Sequence, residues 1–521
     1  MVASRHGRVA AMPGPATLRY GGLAGSLLLA VAAYVRGAHT PWSPPMTART
    51  ILSGADGRLV PLCWLAGTLL LVAAWWLGRH RVPSLRWAYV TAALWALPLL
   101  FVLPLGSYDV YSYACQGWAL TAGHDPYAAG VAAYQCPWLD AVAPTWRSSP
   151  APYGPVFLLL AALTTVAGGS LTGTLALLRV IAVLGVVLLA AGLPALARRH
   201  DVDPSRAVFL AVACPLVPIH LISGAHNDAV MVGLLMAGLA LVFRERPAWL
   251  LAAGALIGLA GGVKATALVV LPFVVLPLRR NWWVALGAVL SLGLASLASG
   301  LGFGWLFALA GSGVSVQWTS PPTAVGMTAS LLGAGDTAIT VARLVGLAAL
   351  ALLLITLWWR FALRTHTHPL VVRQGLPESA QVRGAEAVDP DPEVPVGAQA
   401  GESHQRRPAR TNTQVSARRG VVARLEVSMS SQSKGAGLAL VTTVALAPVF
   451  HPWYLTWPLA VLAATLRRDT RWLVVPCAVA SVLCLPDGYN LALAAKAQGA
   501  IAMTVVVVGV VVYAVRRRRR S

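Results

Sequence analysis

Long apolar runs follow one another along almost the whole chain, and no other feature constrains its fold as strongly. Fifteen such segments can be delimited between residues 20 and 515, many of them close to the roughly 20 residues that cross a bilayer. Hydrophobic residues make up 57% of the chain and charged residues only 11%, well below the roughly 25% of soluble domains. Because unpaired backbone groups cannot face lipid, the sequence predicts an all-α polytopic membrane protein.

The net charge of +22 does not point to nucleic acid. The basic residues lie between the apolar runs, as at Arg198/Arg199 and Arg279/Arg280, and the run Arg516 to Arg520 directly follows one of them. The positive-inside rule explains this placement, since basic residues mark cytoplasmic loops. No basic domain stands apart from the spans, so nucleic-acid binding is not expected.

The basic clusters also predict the topology. With the amino terminus inside, the connections expected outside are 36–58, 106–152, 224–227, 301–338, 451–453 and 488–497. An odd number of crossings must separate the loop 106–152 from Arg198, yet two apolar segments intervene. The segment 153–169 is therefore interpreted as a half-span. About fourteen full crossings follow, with both termini cytoplasmic and the chain in the plasma membrane.

Residues 363–434 interrupt the apolar pattern. This stretch is rich in Pro, Glu, Gln, Ser and Arg, a composition typical of disordered segments. We expect a disordered cytoplasmic linker between a membrane domain, 1–362, and carboxy-terminal transmembrane helices with a basic tail, 435–521. A tolerated insertion is favoured over a regulatory segment.

The loop 106–152 is the most informative segment for function. It combines many aromatic residues with carboxylates such as Asp109 and Asp125. Aromatic faces with interspersed carboxylates suit sugars, whose C–H faces stack while their hydroxyls take hydrogen bonds. An interfacial aromatic belt would explain the aromatic residues but not Asp109 beside the end of a span.

Short connections supply further polar residues. Asp228 lies at an apolar boundary, where a carboxylate requires a partner, and both a substrate and a structural pair with Lys264 or an arginine remain open. Lys264 interrupts a 31-residue apolar stretch and is expected to bind a lipid phosphate rather than only to snorkel. His451 either binds substrate or accompanies an aromatic anchor. The loop 301–338, with Gln317, is expected to line the same cavity.

Six short blocks of the sequence, which contain most of these residues, resemble the actinobacterial polyprenol-phosphate-mannose-dependent α-1,6-mannosyltransferases, the MptA/MptB type. The blocks are YDVYSY (108–113), GHDPY (123–127), WRSSPAPYGP (146–155), GAHND (224–228), GVK (262–264) and HPWY (451–454). The resemblance covers about 20–362 and 435–515, and no family pattern matches the linker.

The resemblance implies a GT-C glycosyltransferase bundle with its active site in the first large outer loop. The implied reaction moves mannose from polyprenyl-phosphate-mannose onto an α-1,6-mannan chain of a lipomannan-like lipoglycan. A β-linked donor and an α-linked product mean inversion, so no covalent enzyme intermediate is needed. A sugar hydroxyl is a poor nucleophile and benefits from a carboxylate base, whereas phosphate already leaves readily.

The resemblance also assigns roles to residues. Asp109 is the expected general base. Lys264, Arg147 and His451 are expected to stabilise the departing phosphate. The remaining candidates for substrate binding are Tyr111, Asp125, Tyr153, His226, Asp228 and Trp453. Asp109, His124, Asp125 and Asp228 could form an oxygen-rich metal site, but no obligatory metal or other cofactor is expected.

Cys115 and Cys136 share the outer loop and are predicted to form a disulfide. Two alternative functions remain open. One is a related transferase with another donor, such as polyprenyl-phosphate-arabinose, or another acceptor, such as a protein hydroxyl. The other is a lipid or sugar transporter, which is disfavoured because the chain shows no internal repeat and its polar residues gather in outward loops.

Overall fold

The fold is all-α, as the sequence predicts. The computed structural model describes residues 13–244, 246–275, 282–309, 315–363, 431–467, 470–493 and 495–520. Within these ranges the regular elements are helices, and the one strand-like feature is an isolated bridge between Cys484 and Asn490. Most of the predicted linker 363–434 lies outside the described residues. Its last four residues are helical, because the next helix spans 431–446.

The α-helices of the amino-terminal half are α1 (Pro15–Arg36), α2 (Ala48–Ser53), α3 (Leu59–Gly78), α4 (Leu85–Leu100), α5 (Asp109–Thr121), α6 (Pro144–Arg147), α7 (Pro155–Gly168), α8 (Leu171–Arg199), α9 (Pro204–Val212), α10 (Asp228–Val242) and α11 (Pro247–Val263). Several begin with proline at the first or second helical position, where the missing N–H costs no hydrogen bond.

The remaining α-helices are α12 (Leu271–Val275), α13 (Trp282–Ala298), α14 (Gly304–Ala308), α15 (Pro321–Ala329), α16 (Thr337–Trp358), α17 (431–446), α18 (Thr456–Thr465), α19 (Arg471–Val482) and α20 (Lys496–Arg520). Tighter 3₁₀ segments lie at Leu139–Ala141, Ala265–Val270, Pro452–Leu455 and Leu491–Leu493. Wider π-type segments lie at Val217–Ser223, Ser330–Ala334 and Trp359–Leu363.

Five helices of the described chain are long and apolar enough to cross a membrane: α1, α3, α8, α20 and the run Thr337–Leu363. The pair Pro204–Val212 and Val217–Ser223, bent by 62°, would make a sixth. Seven more apolar helices have only 10–17 residues. A membrane protein is therefore established, whereas the expected count of about fourteen crossings is not.

Small residues allow the long helices to approach closely. A Cβ on Gly25 of α1 would meet the carbonyl oxygen of Gly67 in α3 at 2.7 Å. Likewise, a Cβ on Gly233 of α10 would meet the carbonyl oxygen of Gly185 in α8 at 2.2 Å. Glycine is needed at these crossings because membrane helices associate through close backbone packing.

Interruptions of the apolar pattern are predicted at 153–169 and at Lys264. Helix α7 has 14 residues, which gives a length of about 21 Å, shorter than the hydrocarbon core. Other apolar helices of the described chain are also short, so this length does not test the half-span interpretation of 153–169. Lys264 adopts an extended conformation between α11 and the 3₁₀ segment Ala265–Val270, so the 31-residue apolar stretch is broken where predicted.

The loop 106–152 folds as α5 followed by short turns, and a disulfide joins its two parts. Cys115 in α5 is bonded to Cys136, with 5.7 Å between the Cα atoms, so the predicted pairing is confirmed. The loop is further held by the backbone of the preceding loop, since Trp42 donates its N–H to the carbonyl of Asp140 at 2.7 Å. These contacts fix the loop against α5, whose first residue is Asp109.

We expect removal of this disulfide to lower stability. Replacing Cys115 and Cys136 by alanine releases a loop of 21 residues, and a constraint of this size contributes about 3 kcal/mol. Thermal unfolding in detergent, with and without reductant, measures the effect. Reductant should lower the melting temperature of the wild type and leave that of the double variant unchanged. A Cys63→Ala variant, which removes a free cysteine, should keep the wild-type response. A wild type insensitive to reductant would contradict the prediction.

Candidate active site

Asp109 is the first residue of α5, and its carboxylate lies between Trp146 and His226. Its Oδ1 accepts a hydrogen bond from the indole of Trp146 at 2.9 Å, and its Oδ2 lies 3.9 Å from Nδ1 of His226. Its backbone N–H donates to the hydroxyl of Ser107 at 3.0 Å. A carboxylate in the first turn is stabilised by the helix dipole, so the sequence places this side chain where its charge is tolerated.

Burial raises the pKa of Asp109 to about 6, because only 7% of the residue is exposed. The hydrogen bonds from Ser107 and Trp146 and the charge of Lys264 oppose this rise, and the charge of Asp228 adds to it. At neutral pH the group is therefore ionised, yet it is a stronger base than an ordinary aspartate. These properties are those of a general base.

A column of stacked rings stands beside this carboxylate. The ring of Trp453 stacks on His226 with 3.9 Å between centroids and on His451 with 4.5 Å. Nδ1 of His226 is also 3.2 Å from the hydroxyl of Tyr113. Burial, with the nearby charge of Lys264 as a further cause, lowers the pKa of His451 to about 3. Burial also lowers the pKa of His226. Both histidines therefore stay neutral at neutral pH and can take part through hydrogen bonds.

Lys264 and Asp228 form an ion pair at the same site. The ammonium of Lys264 lies 3.0 Å from Oδ1 and 3.2 Å from Oδ2 of Asp228, which also accepts the indole N–H of Trp457 at 2.7 Å. Asp228 is fully buried at the first position of α10. The ammonium stands 4.2 Å from the centre of the Tyr454 ring, in cation–π geometry. Of the partners considered for Asp228, the structure shows Lys264.

Asp109, Lys264 and the rings of His451 and Trp453 border a cavity of about 130 Å³, the Lys264 cavity, with a cationic corner and an apolar rim. Asp228 and His226 are not among its lining residues. Its reactive and aromatic lining includes Asp109, Tyr113, Trp146, Tyr153, Lys264, His451, Trp453, Tyr454 and Trp457. Its apolar rim includes Leu309, Ala447, Pro448 and Val449.

A second cavity of about 110 Å³, the Asn490 cavity, borders the same carboxylate. Asp109, Trp146, His451 and Trp453 line both cavities. The other walls of the second cavity are mostly polar or aromatic: Ser107, Tyr108, Thr145, Ser315, Gln317, Tyr489 and Asn490. Gln317 thus lies where the sequence placed it. Asp109 is consequently accessible from two differently built spaces.

Three predicted site residues make local contacts instead. The guanidinium of Arg147 donates to the carbonyls of Val142 and Asp140, at 2.9 and 3.4 Å, within its own loop. Tyr111 donates its hydroxyl to the carbonyl of Ala38 at 2.6 Å. Asp125 accepts the backbone N–H of Tyr127 at 2.8 Å. Neither cavity lining includes these three residues.

No metal ligand set is formed by the residues that the structure describes, since no group of three or more His, Cys, Asp or Glu side chains is placed to hold an ion. Of the four residues considered for such a set, His124 stacks on Tyr134 with 4.6 Å between ring centroids.

Comparison with known proteins identifies the family. A model described as the alpha-(1->6)-mannopyranosyltransferase amino-terminal domain matches residues 19–280, and one described as the MptB carboxy-terminal domain matches 423–514. The chain belongs to the alpha-(1->6)-mannopyranosyltransferase family. It is accordingly a glycosyltransferase, and the transporter hypothesis is set aside. The two family domains meet at the site, because Asp109, Asp228 and Lys264 lie in the first and His451 and Trp457 in the second.

Three relatives of this mannosyltransferase show the extent of the similarity. Alpha-(1->6)-mannopyranosyltransferase A of Mycobacterium tuberculosis is 37% identical over 333 residues, 58% of this chain and 63% of its own length. A probable alpha-(1->6)-mannopyranosyltransferase of Mycolicibacterium smegmatis is 30% identical over 86% of this chain and 78% of its own. Alpha-(1->6)-mannopyranosyltransferase B of Corynebacterium glutamicum is 28% identical over 78% and 65%. No solved structure matches.

Several residues of the mannosyltransferase site were not assigned from sequence. Trp146 holds the carboxylate of Asp109, and Trp457 holds that of Asp228. Trp146 adjoins Arg147, which was assigned from the sequence. The loop 106–152 contains many aromatic residues, and nothing in the sequence distinguished Trp146 from the others. Trp457 lies one helical turn after Trp453, a spacing that places both on one helix face and could have been noticed.

Breaking the ion pair of this mannosyltransferase should destabilise it. Lys264→Met leaves the fully buried carboxylate of Asp228 without its cation, which costs about 3 kcal/mol or more. The double variant Lys264→Met/Asp228→Asn removes both charges and keeps an acceptor for Trp457, so it should recover part of the loss. Thermal unfolding in detergent compares the two. A single variant as stable as the wild type would refute the prediction.

Proposed function

We propose that this protein transfers mannose from polyprenyl-phosphate-mannose to an α-1,6-mannan chain of a lipoglycan, with inversion at the anomeric carbon. The observation that carries the proposal is the position of Asp109, a buried carboxylate bordering both a cavity with a paired lysine and a polar aromatic cavity. The relatives named as alpha-(1->6)-mannopyranosyltransferases support mannose as the sugar.

The Lys264 cavity fits a lipid-phosphate sugar, which is the proposed donor. Lys264 supplies a cation that Asp228 orients, and such a group suits a phosphate at headgroup depth. The rim formed by Leu309, Pro448 and Val449 offers apolar contacts to the first units of a polyprenyl chain. The ring of Tyr153 lines this cavity and can contact the mannose face.

The proposed reaction is a single displacement. An acceptor hydroxyl oxygen bonds to C1 of mannose while the bond between C1 and the phosphate oxygen breaks, and its electron pair stays on the phosphate. The hydroxyl proton passes to Asp109. Lys264 stabilises the charge that develops on the phosphate. Polyprenyl phosphate and an elongated α-linked mannan leave, and no metal ion is required.

Other residues of the site position the base and the departing phosphate. Trp146 restrains the carboxylate of Asp109 through a hydrogen bond to Oδ1. His451 offers a neutral ring that can donate a hydrogen bond. The proposed site faces the outer side of the plasma membrane, with both termini cytoplasmic, and the basic clusters between apolar segments support this orientation.

Replacement of the base is the first test of the proposal. With radiolabelled polyprenyl-phosphate-mannose and a short α-1,6-mannoside, the wild type should transfer mannose, and Asp109→Asn should lose transfer by at least about 100-fold. Asp140→Asn, an exposed carboxylate change in the same loop, is the matched control and should transfer normally. Near-normal turnover by Asp109→Asn would sink the base assignment. Transfer from polyprenyl-phosphate-arabinose instead of the mannose donor would sink the choice of sugar.

The pH dependence of transfer should report this base. Asp109 must be ionised to accept a proton, so kcat/KM should fall as the pH drops below about 6. Trp146→Phe removes a hydrogen bond that stabilises the carboxylate, which raises the pKa of Asp109 further. The acidic limb of the profile should therefore move to higher pH in this variant. An unshifted limb would contradict the role of Trp146, and a limb near pH 4 would contradict the raised pKa.

A further inference from the structure

The Asn490 cavity is lined by an amide whose N–H group has no hydrogen-bond partner among the described residues. Asn490 lines this cavity and is only 7% exposed. Its Oδ1 accepts the backbone N–H of Ala492 at 2.9 Å, which fixes the orientation of the amide. Within the described chain, its buried Nδ2 has no hydrogen-bond partner. A buried amide N–H is costly unless a ligand or another group accepts it.

The segment that carries this amide is rigidly held. Backbone hydrogen bonds join Leu485 to Tyr489 at 2.9 Å and Leu491 to Leu483 at 2.7 Å, closing a tight turn over 485–489. Gly106, at the entrance to the Asp109 loop, donates its N–H to the carbonyl of Leu485 at 3.1 Å. The turn is therefore fixed directly beside the base, so the amide is held in place before any ligand arrives.

The conformation of the turn places aromatic rings beside the same space. Gly488 has a φ of +80°, and a Cβ there would meet the Tyr108 ring at 2.7 Å. Glycine thus allows Tyr108 and Tyr489 to approach to 5.4 Å between centroids, and both rings line the cavity. The phenol of Tyr489 accepts the indole N–H of Trp42, which fixes the ring. Two fixed rings beside a free amide donor are the elements of a sugar subsite.

We propose that this cavity is the acceptor subsite, which binds the terminal hexose of the acceptor glycan. Asn490 donates its Nδ2 hydrogen to a ring hydroxyl, Tyr108 and Tyr489 contact the sugar face, and Gln317 supplies a further polar contact. The identity of the acceptor rests on the proposed function. Inversion requires the nucleophile and the leaving group on opposite faces of C1. Separate cavities for donor and acceptor, meeting at Asp109, provide for this requirement.

The subsite also divides the reaction between the two family domains. Asp109 and Lys264 belong to the domain matched at 19–280, whereas Asn490 and Tyr489 belong to the domain matched at 423–514. The amino-terminal domain thus supplies the base and the donor phosphate site. The carboxy-terminal domain supplies Asn490 and Tyr489 to the acceptor, which Tyr108 of the amino-terminal domain and Gln317, between the two matched ranges, also contact.

Equilibrium dialysis of radiolabelled α-1,6-mannotriose against the full chain in detergent, without donor, tests the subsite. Asn490→Asp keeps an oxygen for the N–H of Ala492 but lacks the donor, so binding should weaken about tenfold. Gln116→Leu, which removes a buried amide that lines neither cavity, is the matched control and should bind as the wild type does. Gln317→Leu should also weaken binding. It serves as the test if Asn490→Asp does not fold.

A wild type that does not bind mannotriose, or folded variants at both positions that bind it equally well, would overturn the subsite. In the transfer assay, the variants should raise the KM for acceptor about tenfold and leave the KM for donor unchanged. An unchanged KM for acceptor, with transfer intact, would overturn the subsite alone. Binding that depends on Asn490 in a wild type that transfers no mannose would support the subsite and contradict the proposed function.

Discussion

The ion pair between Lys264 and Asp228 is the contact on which the arrangement of the site depends. It joins the end of α11 to the start of α10, and the indole of Trp457 brings α18 to the same carboxylate. Removing two charges from water is costly, and the mutual attraction of a buried pair often only offsets that cost. Its value here is therefore positional, since it fixes an ammonium at the cavity and ties the two family domains together.

Asp109 illustrates how the fold tunes an ordinary residue. The start of α5 supplies a helix terminus, the disulfide and the Trp42 contact fix the loop, and burial raises the pKa. The indole of Trp146 then restrains one carboxylate oxygen through a hydrogen bond. The position of Asp109 alone thus makes its carboxylate a stronger base than that of an ordinary aspartate, while it stays ionised at neutral pH.

The sequence predicted those features that depend on local pattern. Apolar runs indicated the helical class, Lys264 marked a helix break, and two cysteines in one loop indicated their disulfide. The number of spans could not be obtained in this way, because hydropathy registers apolar length but not the breaks that leave seven helices at 10–17 residues. Arg147 shows the same limit within a loop, since the composition of 106–152 could not tell which side chains would bind nearby carbonyls. Asn490 was missed because only the fold brings it to the same cavity as Asp109, which lies far from it along the chain.

The bond between Cys115 and Cys136 carries information about direction. Thiols are generally kept reduced in the cytoplasm, so this bond agrees with the proposed position of the loop 106–152 on the outer face. A chain inserted with the opposite orientation would keep both thiols. The oxidation state of this pair therefore reports the orientation in which each molecule was inserted into the membrane.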